Sequence, residues 1–283
     1  MSDQSYLSIY AKSFNWAGFF LPKETYLKCS ALYDFCRIAD NIADSNETID
    51  IKKIKFLDFQ NNFNNQKFDD PIIKNMWQLI NEFNISLKVV HDLLDGINSD
   101  IQKNIKLNKK KDLLLYSYRV AGTVGLMMAK ILRVNKKSSL KSAIDLGIAM
   151  QLTNISRDVV EDLNFGRSYI NFNFEEIKST IKLSDSYYEK SFYSIKQIPF
   201  TFRFAILVAR RVYRKIGFKI LKKQNLENYK NSGKIYVSNI EKIIETLLSI
   251  FDLIKLSLIS KEDDNIEHDH DLINEEINLN ERI

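Results

Sequence analysis

Apolar residues recur every three or four positions through most of the chain, the spacing of helices that bury one face. Leu27, Ala31, Leu32, Phe35, Cys36 and Ile38 form one such stripe in a helix that Pro22 opens and that runs over 23–44. Weaker stripes predict helices over 48–66 and 71–83, parted by an Asn-rich stretch ending at Asp70-Pro71. Further helices are predicted over 86–105, 112–132, 140–163, 173–196, 199–222 and 236–260. Lys109–Asp112 is a polar entry to 112–132, and Ser138-Ser139 is a cap for 140–163. Gly166 is a stop after that helix, and Ser184 or Asp185 is a cap within 173–196. No strand–helix alternation, repeat or low-complexity linker interrupts the series. The pattern predicts an all-α chain, one domain over 1–260 with a tail over 261–283.

Composition narrows the class further. Among 283 residues there are only 8 Gly and 3 Pro, about a third of ordinary usage. That excludes a turn-rich sandwich or barrel and disfavours an α/β fold with Gly-rich phosphate loops. Two cysteines, Cys29 and Cys36, exclude a disulfide scaffold and a cysteine-based zinc site. They read as reduced core thiols of a cytoplasmic protein. No signal peptide is visible, and Leu247–Ser260 is broken by Asp252 and Lys255, short of the ~18 uninterrupted apolar residues of a span.

The net charge of +5 hides an asymmetry, because residues 261–283 hold nine acidic side chains against Lys261 and Arg282. The tail is predicted to be acidic and mostly disordered, and its His268-Asp269-His270 is a solvated run before it is a metal site. The body, +12 once the tail is set aside, suits an anionic partner: a phosphate ligand, an anionic membrane surface or a nucleic acid. Basic residues cluster over 103–111 and 203–234, but no nucleic-acid motif accompanies them, and a solvated helix face accounts for most.

Carboxylates lie where a core is expected. Positions four apart on a helix differ by about 40°, so Tyr33, Arg37, Asp40 and Asp44 share one face, and Gln151, Asn154, Asp158 and Asp162 share another. The second set follows the strongly apolar run 143–152, so its stripe faces inward or lines a cavity. Ionised carboxylates there need a cation to offset their burial. With no His in either stripe, the oxygen donors fit Mg²⁺, with Mn²⁺ as a substitute, better than zinc. Mg²⁺ usually shares substrate phosphates, and Arg37 and Arg157 are placed to hold phosphate oxygens. Internal salt bridges, Arg37–Asp40 and Arg157–Asp162, explain the same spacing, and spacing alone leaves both readings open. A di-iron carboxylate bundle wants Glu-x-x-His pairs; there are none, and the body's one histidine is His91.

Three segments carry a resemblance. Leu32-Tyr-Asp-Phe-Cys-Arg-Ile-Ala-Asp-Asn-Ile-Ala-Asp44 resembles the first aspartate-rich helix of the squalene and phytoene synthase family. Gly147-Ile-Ala-Met-Gln-Leu-Thr-Asn-Ile-Ser-Arg-Asp-Val-Val-Glu-Asp162, followed by Gly166-Arg-Ser-Tyr169, resembles the second. Between them, Tyr116-Ser-Tyr-Arg-Val-Ala-Gly-Thr-Val-Gly-Leu-Met-Met128 resembles the central motif, and its Leu-Met-Met ending is most like bacterial phytoene synthases.

The resemblance implies an isoprenoid-synthase-type helical bundle with a central hydrophobic cavity. It implies Mg²⁺-assisted head-to-head condensation of two prenyl diphosphates. The motif positions assign Asp40, Asp44, Asp158 and Asp162 to the metals, with Asn154 assisting. They assign Arg37, Gln151 and Arg157 to the diphosphates, set Tyr33 and Tyr116 against the reacting carbons, and put Arg167 and Tyr169 near the cavity mouth. Lys12, Ser13 and Lys234 join the substrate-binding set. The expected product is phytoene from C20 geranylgeranyl diphosphate; alternatives are a dehydrosqualene or squalene synthase using C15 farnesyl diphosphate, or a non-catalytic assembly factor.

Three positions depart from the family pattern. Asn41 stands where a second Asp is frequent, Ala11 where a Ser is usual, and Lys234 where Arg is usual, which keeps charge but loses bidentate geometry. No metal position is lost. Gly122 and Gly125 admit two readings, close helix packing or room for a prenyl chain. Gly18 and Ser30 near the first motif point to a deep pocket and so to C20 substrates. Basic charge and the apolar 247–260 segment predict peripheral association with the inner face of the membrane. Oligomeric state has no sequence signal.

Overall fold

Helix starts follow local chemistry. The computed structural model of the protein describes residues 6–7, 12–102, 104–107, 109–258, 272–274 and 277–283. After α1 (Lys12–Gly18), Pro22 precedes α2 (Lys23–Ala43). Thr48 accepts a hydrogen bond from the Ile51 amide at the start of α3 (Ile49–Asn64). Asp70 accepts one from the Ile72 amide, with Pro71 as the first residue of α4 (Pro71–Phe83). Next come α5 (Leu87–Ser99), α6 (Lys110–Ser117), one π-helical turn over Tyr118–Gly122, and α7 (Thr123–Ile131). The long α8 (Lys137–Asn164) begins after Lys136, so Ser138-Ser139 lie inside it rather than capping it. Asn173 caps α9 (Phe174–Phe192) by accepting from the Glu176 amide, and Ser184 and Asp185 are mid-helix. The set closes with α10 (Phe200–Leu221), α11 (Leu226–Asn231) and α12 (Asn239–Leu258).

Helix α8 is the hub, packed on α7, α9, α10 and the π-turn. Helix α2 packs on α3, α4, α5 and α7, so α7 lies between the two helices that carry the aspartate stripes. Glycine sets how closely α7 meets α8. A Cβ on Gly125 would lie 2.2 Å from the Ala143 carbonyl oxygen, and one on Gly147 would lie 2.2 Å from that of Ala121. The packing reading therefore holds for Gly125, whereas at its nearest approach a Cβ on Gly122 would meet only side-chain atoms of Ile144 and Tyr118, both at 3.1 Å. Gly18 packs on the Tyr26 ring and Ser30 is buried. Cys29 and Cys36 are buried free thiols.

The helix expected over 86–105 ends at Ser99, and residues 105–106 instead form β1, a two-residue strand paired in parallel with β2 (Arg167–Ser168). Periodicity cannot show so short a pairing, because two residues carry no period. The Ile105 amide donates to the Gly166 carbonyl at 3.0 Å and the Leu107 amide to that of Ser168 at 3.1 Å. Gly166, at φ +75°, supplies the left-handed turn that brings the chain from α8 into this ladder.

The tail also departs from expectation where it is described. Ile273, Ile277 and Leu279 are buried, and residues 279–281 form a 3₁₀ turn. Arg282 donates to both Asp92 oxygens, at 2.6 and 2.9 Å, and the Tyr118 hydroxyl donates to the same carboxylate at 2.9 Å. Isoleucine and leucine within the acidic composition supply the anchors, and buried Asp92 supplies the charge partner. Residues 259–271, including His268-Asp269-His270, lie outside the described residues, as do Ala11 and Lys103.

Arg282 thus holds the π-turn through Asp92 and Tyr118. Arg282→Ala leaves a buried carboxylate uncompensated and is expected to cost about 3 kcal/mol. Adding Asp92→Asn should return much of that loss. Equal chemical-denaturation midpoints for Arg282→Ala and the parent protein would refute the clamp.

Candidate active site

Two short-range features of α2 and α8 place the polar stripes. On α2, Leu32, Phe35, Ala39 and Ala43 are fully buried, and the stripe of Tyr33, Arg37, Asp40 and Asp44 lies one residue further round, half-buried. On α8, Leu152, Ile155 and Val159 are buried, and Gln151, Asn154, Asp158 and Asp162 are half-buried beside them. The stripes meet at a residue that no stripe contains. Asp100, at the end of α5, accepts the Tyr169 hydroxyl at 2.6 Å and the Tyr116 hydroxyl at 2.7 Å. The two hydroxyls are 2.9 Å apart, and the rings stack with centroids 4.5 Å apart.

Arg167 joins this group to α2. Its guanidinium donates to Asp44 Oδ1 at 2.8 Å and to the carbonyls of Ala43 and Asp100 at 3.2 and 3.3 Å. Burial disfavours its charge, but the carboxylates of Asp100 and Asp44 outweigh that and hold it protonated. Arg167 and Tyr169 are only 8% and 5% exposed. The β1–β2 ladder seats them inside, against the end of α5.

The carboxylates around Arg167 are under electrostatic load. Burial, then the neighbouring Asp44, pushes Asp40 up to about 7, and Arg37 and Arg167 offset only part of this. Burial, then Asp158, pushes Asp162 up to about 8. Burial also raises Asp100, opposed by Arg167 and the two tyrosines. Tyr116 and Tyr169 are raised by burial and by Asp100, so both phenols stay protonated and aim their protons at that carboxylate.

A second cluster occupies the same helix one turn earlier. Arg157 grips its neighbour Asp158 with two hydrogen bonds, 2.8 and 2.5 Å long. Lys234 approaches Asp158 Oδ1 to 3.4 Å and is hydrogen-bonded to Glu161. Buried Tyr213 lies within electrostatic reach of Arg157, Asp158 and Tyr33, linking this cluster to α2. The Tyr229 hydroxyl donates to the carbonyls of Ser156 and Arg157 at 2.9 and 2.8 Å, pinning α8 at this level.

The salt-bridge alternative is realised partly with other partners. Arg157 pairs with Asp158 rather than Asp162, Arg167 bridges to Asp44 of the first stripe, and Arg37 offsets part of the load on Asp40. Lys12 is exposed and lies near Lys242 of α12; Ser13 is half-buried, and neither has a described contact with the carboxylates. Sequence reasoning missed Asp100, Tyr213 and Tyr229. Asp100 sits at a helix end in a polar stretch where an aspartate is ordinary, and Tyr213 and Tyr229 read as core.

Among the described residues no three His, Cys, Asp or Glu side chains converge as a ready-made metal cage. The donor set still fits a hard cation that shares ligand oxygens. The Asn154 side-chain oxygen is buried without a hydrogen-bond partner, and it is half of an amide whose nitrogen donates weakly to Gln151 at 3.4 Å. Asp40 and Asp162 hold carboxyls that their surroundings leave short of positive charge. Such oxygen donors are the kind that Mg²⁺ takes when it also shares phosphate oxygens.

A model of the squalene/phytoene synthase family matches residues 8–171. The chain is 27% identical over 248 residues to a 15-cis-phytoene synthase of Pantoea ananas, covering 76% of this chain and 80% of that protein. It is 28% identical over 247 residues to a 15-cis-phytoene synthase of Enterobacter agglomerans, covering 76% and 83%. Its fold is similar to a solved dehydrosqualene synthase in complex with ligand, with a TM-score of 0.74 and 27% identity over 89% of this chain and 95% of that one.

Proposed function

The chain belongs to the squalene/phytoene synthase family and is a prenyltransferase; on that premise we propose that it condenses two geranylgeranyl diphosphates head to head into phytoene. The observation that carries the proposal is that the two aspartate helices bring raised carboxyls, Asp40 and Asp162, within reach of the same pair, Asp100 and Arg167, while the second helix also carries the unpartnered Asn154 amide oxygen. A non-catalytic assembly role gives no reason to keep such a cluster inside an apolar bundle.

In this reading the first diphosphate leaves as an allylic cation forms, the double bond of the second substrate attacks that cation, and loss of a proton closes a cyclopropane ring. The cyclopropyl diphosphate so formed ionises, rearranges and loses a proton. Mg²⁺ held by Asp40, Asp44, Asn154, Asp158 and Asp162, with Mn²⁺ as a substitute, would neutralise the leaving charge as a Lewis acid. Arg37, Gln151, Arg157 and Lys234 orient the diphosphates, with Lys12 and Ser13 contributing from α1. Tyr33 and Tyr116 face the cations. With its proton engaged by Asp100, the Tyr116 oxygen keeps its electron density available to a neighbouring positive carbon. The surrounding apolar bundle excludes the water that would quench the cations.

A C15 reading is favoured by one observation, the likeness to a dehydrosqualene synthase structure. Product analysis separates the two. Purified protein with Mg²⁺ should turn geranylgeranyl diphosphate into a C40 triene faster than farnesyl diphosphate into a C30 one; the reverse ranking would assign the shorter substrate, and no hydrocarbon from either would end the synthase reading.

Binding gives an independent check. At an effective dielectric of ~20, one like-charge contact at ~4 Å costs about 4 kcal/mol, so a diphosphate facing these carboxylates needs a cation. A non-hydrolysable C20 thio-diphosphate should raise the melting temperature strongly with Mg²⁺ and little with EDTA. Asp158→Ala combined with Asp162→Ala should erase the metal-dependent part. Equal shifts with and without Mg²⁺ would refute the metal assignment.

A further inference from the structure

Helix α12 is turned inside out. At about 100° per residue, Ile240, Ile243, Leu247, Phe251, Ile254 and Leu258 fall on one side, and all face outward. Ile240, Leu247, Phe251 and Leu258 are 72%, 56%, 67% and 79% exposed. The buried side of the helix carries Lys242, Glu245 and Ser249, with Leu256 as its one buried apolar residue. Glu245 bonds Arg211 and Lys215 of α10, both at 3.1 Å, Asp252 bonds Arg211 at 2.7 Å, and Glu241 bonds Lys219 at 2.7 Å. Ion pairs therefore hold much of α12 to the body, with Leu253 and Leu256 packed beneath it, and its outward apolar face is left to something else.

We propose that this outward face of α12 is the surface by which the protein lies on an anionic phospholipid bilayer. Charge sorting carries the choice of occupant. All three acids of α12, Glu241, Glu245 and Asp252, are paired with α10, so none repels a phosphate headgroup. Exposed Lys255 stands at the edge of the apolar face, its ammonium 5.2 Å from the centre of the Phe192 ring and paired with no acid among the described residues. A two-fold contact between copies presents the same patch to itself, and here Lys255 would meet no acid on that patch. Headgroup phosphates supply the missing anions, and acyl chains cover the isoleucines, leucines and phenylalanine. The helix lies in the plane of the bilayer surface, since no helix among the described residues is long and apolar enough to cross one. The proposal deepens the prenyltransferase reading, on which it rests for why a protein handling C20 chains works at a lipid surface.

Flotation of the full chain with substrate-free vesicles tests the face independently of catalysis. Vesicles of neutral phospholipid alone are compared with vesicles that also contain an anionic phospholipid, and mass is read by light scattering. Leu247→Glu with Phe251→Glu changes only exposed side chains, so the melting temperature should hold. Vesicle binding should fall at least about tenfold. Lys255→Glu should weaken binding to anionic vesicles alone. Binding unchanged in the double variant, or no binding by the parent protein, would overturn the proposal. So would a dimer that the double variant dissociates, which would assign the face to a second copy. Product formation plays no part in the readout, so failure of the synthase reading would show separately.

Discussion

Asp40→Asn and Asp162→Asn are each expected to cut turnover by about a thousandfold or more while making the ligand-free protein harder to unfold at neutral pH. The activity loss follows from removing a donor for a cation whose neutralisation of the leaving group is worth several kcal/mol, roughly a thousandfold for each 4 kcal/mol. The stability gain follows from the carboxyls themselves. Asp40 and Asp162 are pushed up to about 7 and about 8 by burial and by Asp44 and Asp158 respectively. Each folded-state value lies above the unfolded one, near 4, so the folded protein binds the extra proton. Their contribution is present below about pH 4 and is lost as pH rises through the folded values, about 7 and about 8, at a cost of a few kcal/mol. Asparagine carries no such cost, so the variants should show a flatter decline in melting temperature between acid and mildly alkaline pH. Near-parental turnover in either variant would remove that residue from the metal set, and an unchanged pH slope would remove the electrostatic account.

Arg167→Met is expected to be the most destabilising single change at the site. Its side chain is 9% exposed, it binds Asp44 at 2.8 Å, and it also bonds the Ala43 and Asp100 carbonyls. Removing one partner of a buried pair typically costs about 3–5 kcal/mol; because Asp44 is 39% exposed, the lower end, about 3 kcal/mol, is expected here. The same charge holds down Asp40 and Asp162. Its loss should raise both carboxyls further and steepen the decline in stability toward alkaline pH. Arg167→Lys keeps the charge without the forked geometry and should fall between. Thermal melts across a pH series read both effects together. A melting curve for Arg167→Met that matches the parent protein would show that the arginine holds nothing in the folded state.

Much of this protein was legible in its sequence, for a definite reason. Helix period and the four-residue spacing of Tyr33, Arg37, Asp40 and Asp44, and of Gln151, Asn154, Asp158 and Asp162, are local properties. A helix converts such spacing into a shared face whatever surrounds it. The all-α class and both aspartate stripes were therefore available without coordinates, and the three motifs together pointed to the family. What surrounds those faces was not available. Asp100 reaches the stripes only because α5 stops at Ser99 and a two-residue strand pairing seats Arg167 and Tyr169 beside it. The apolar 247–260 segment reads in sequence as a membrane-directed stretch, but which residues of α12 turn outward does not, because amphipathic spacing states that two faces differ and not which one turns inward. Arg211, Lys215 and Lys219 on α10 make that choice by pairing with the acids of α12. The acidic tail read as disordered because composition averages over residues, whereas docking depends on a few, Ile273, Ile277, Leu279 and Arg282, meeting a buried Asp92 far away in sequence. Sequence alone determined what repeats along a helix. The partners of Arg157, Arg167, Asp92 and the polar side of α12 were decided by the tertiary structure, because ion pairs and buried hydrogen bonds depend on which groups three-dimensional packing brings within about 3 Å.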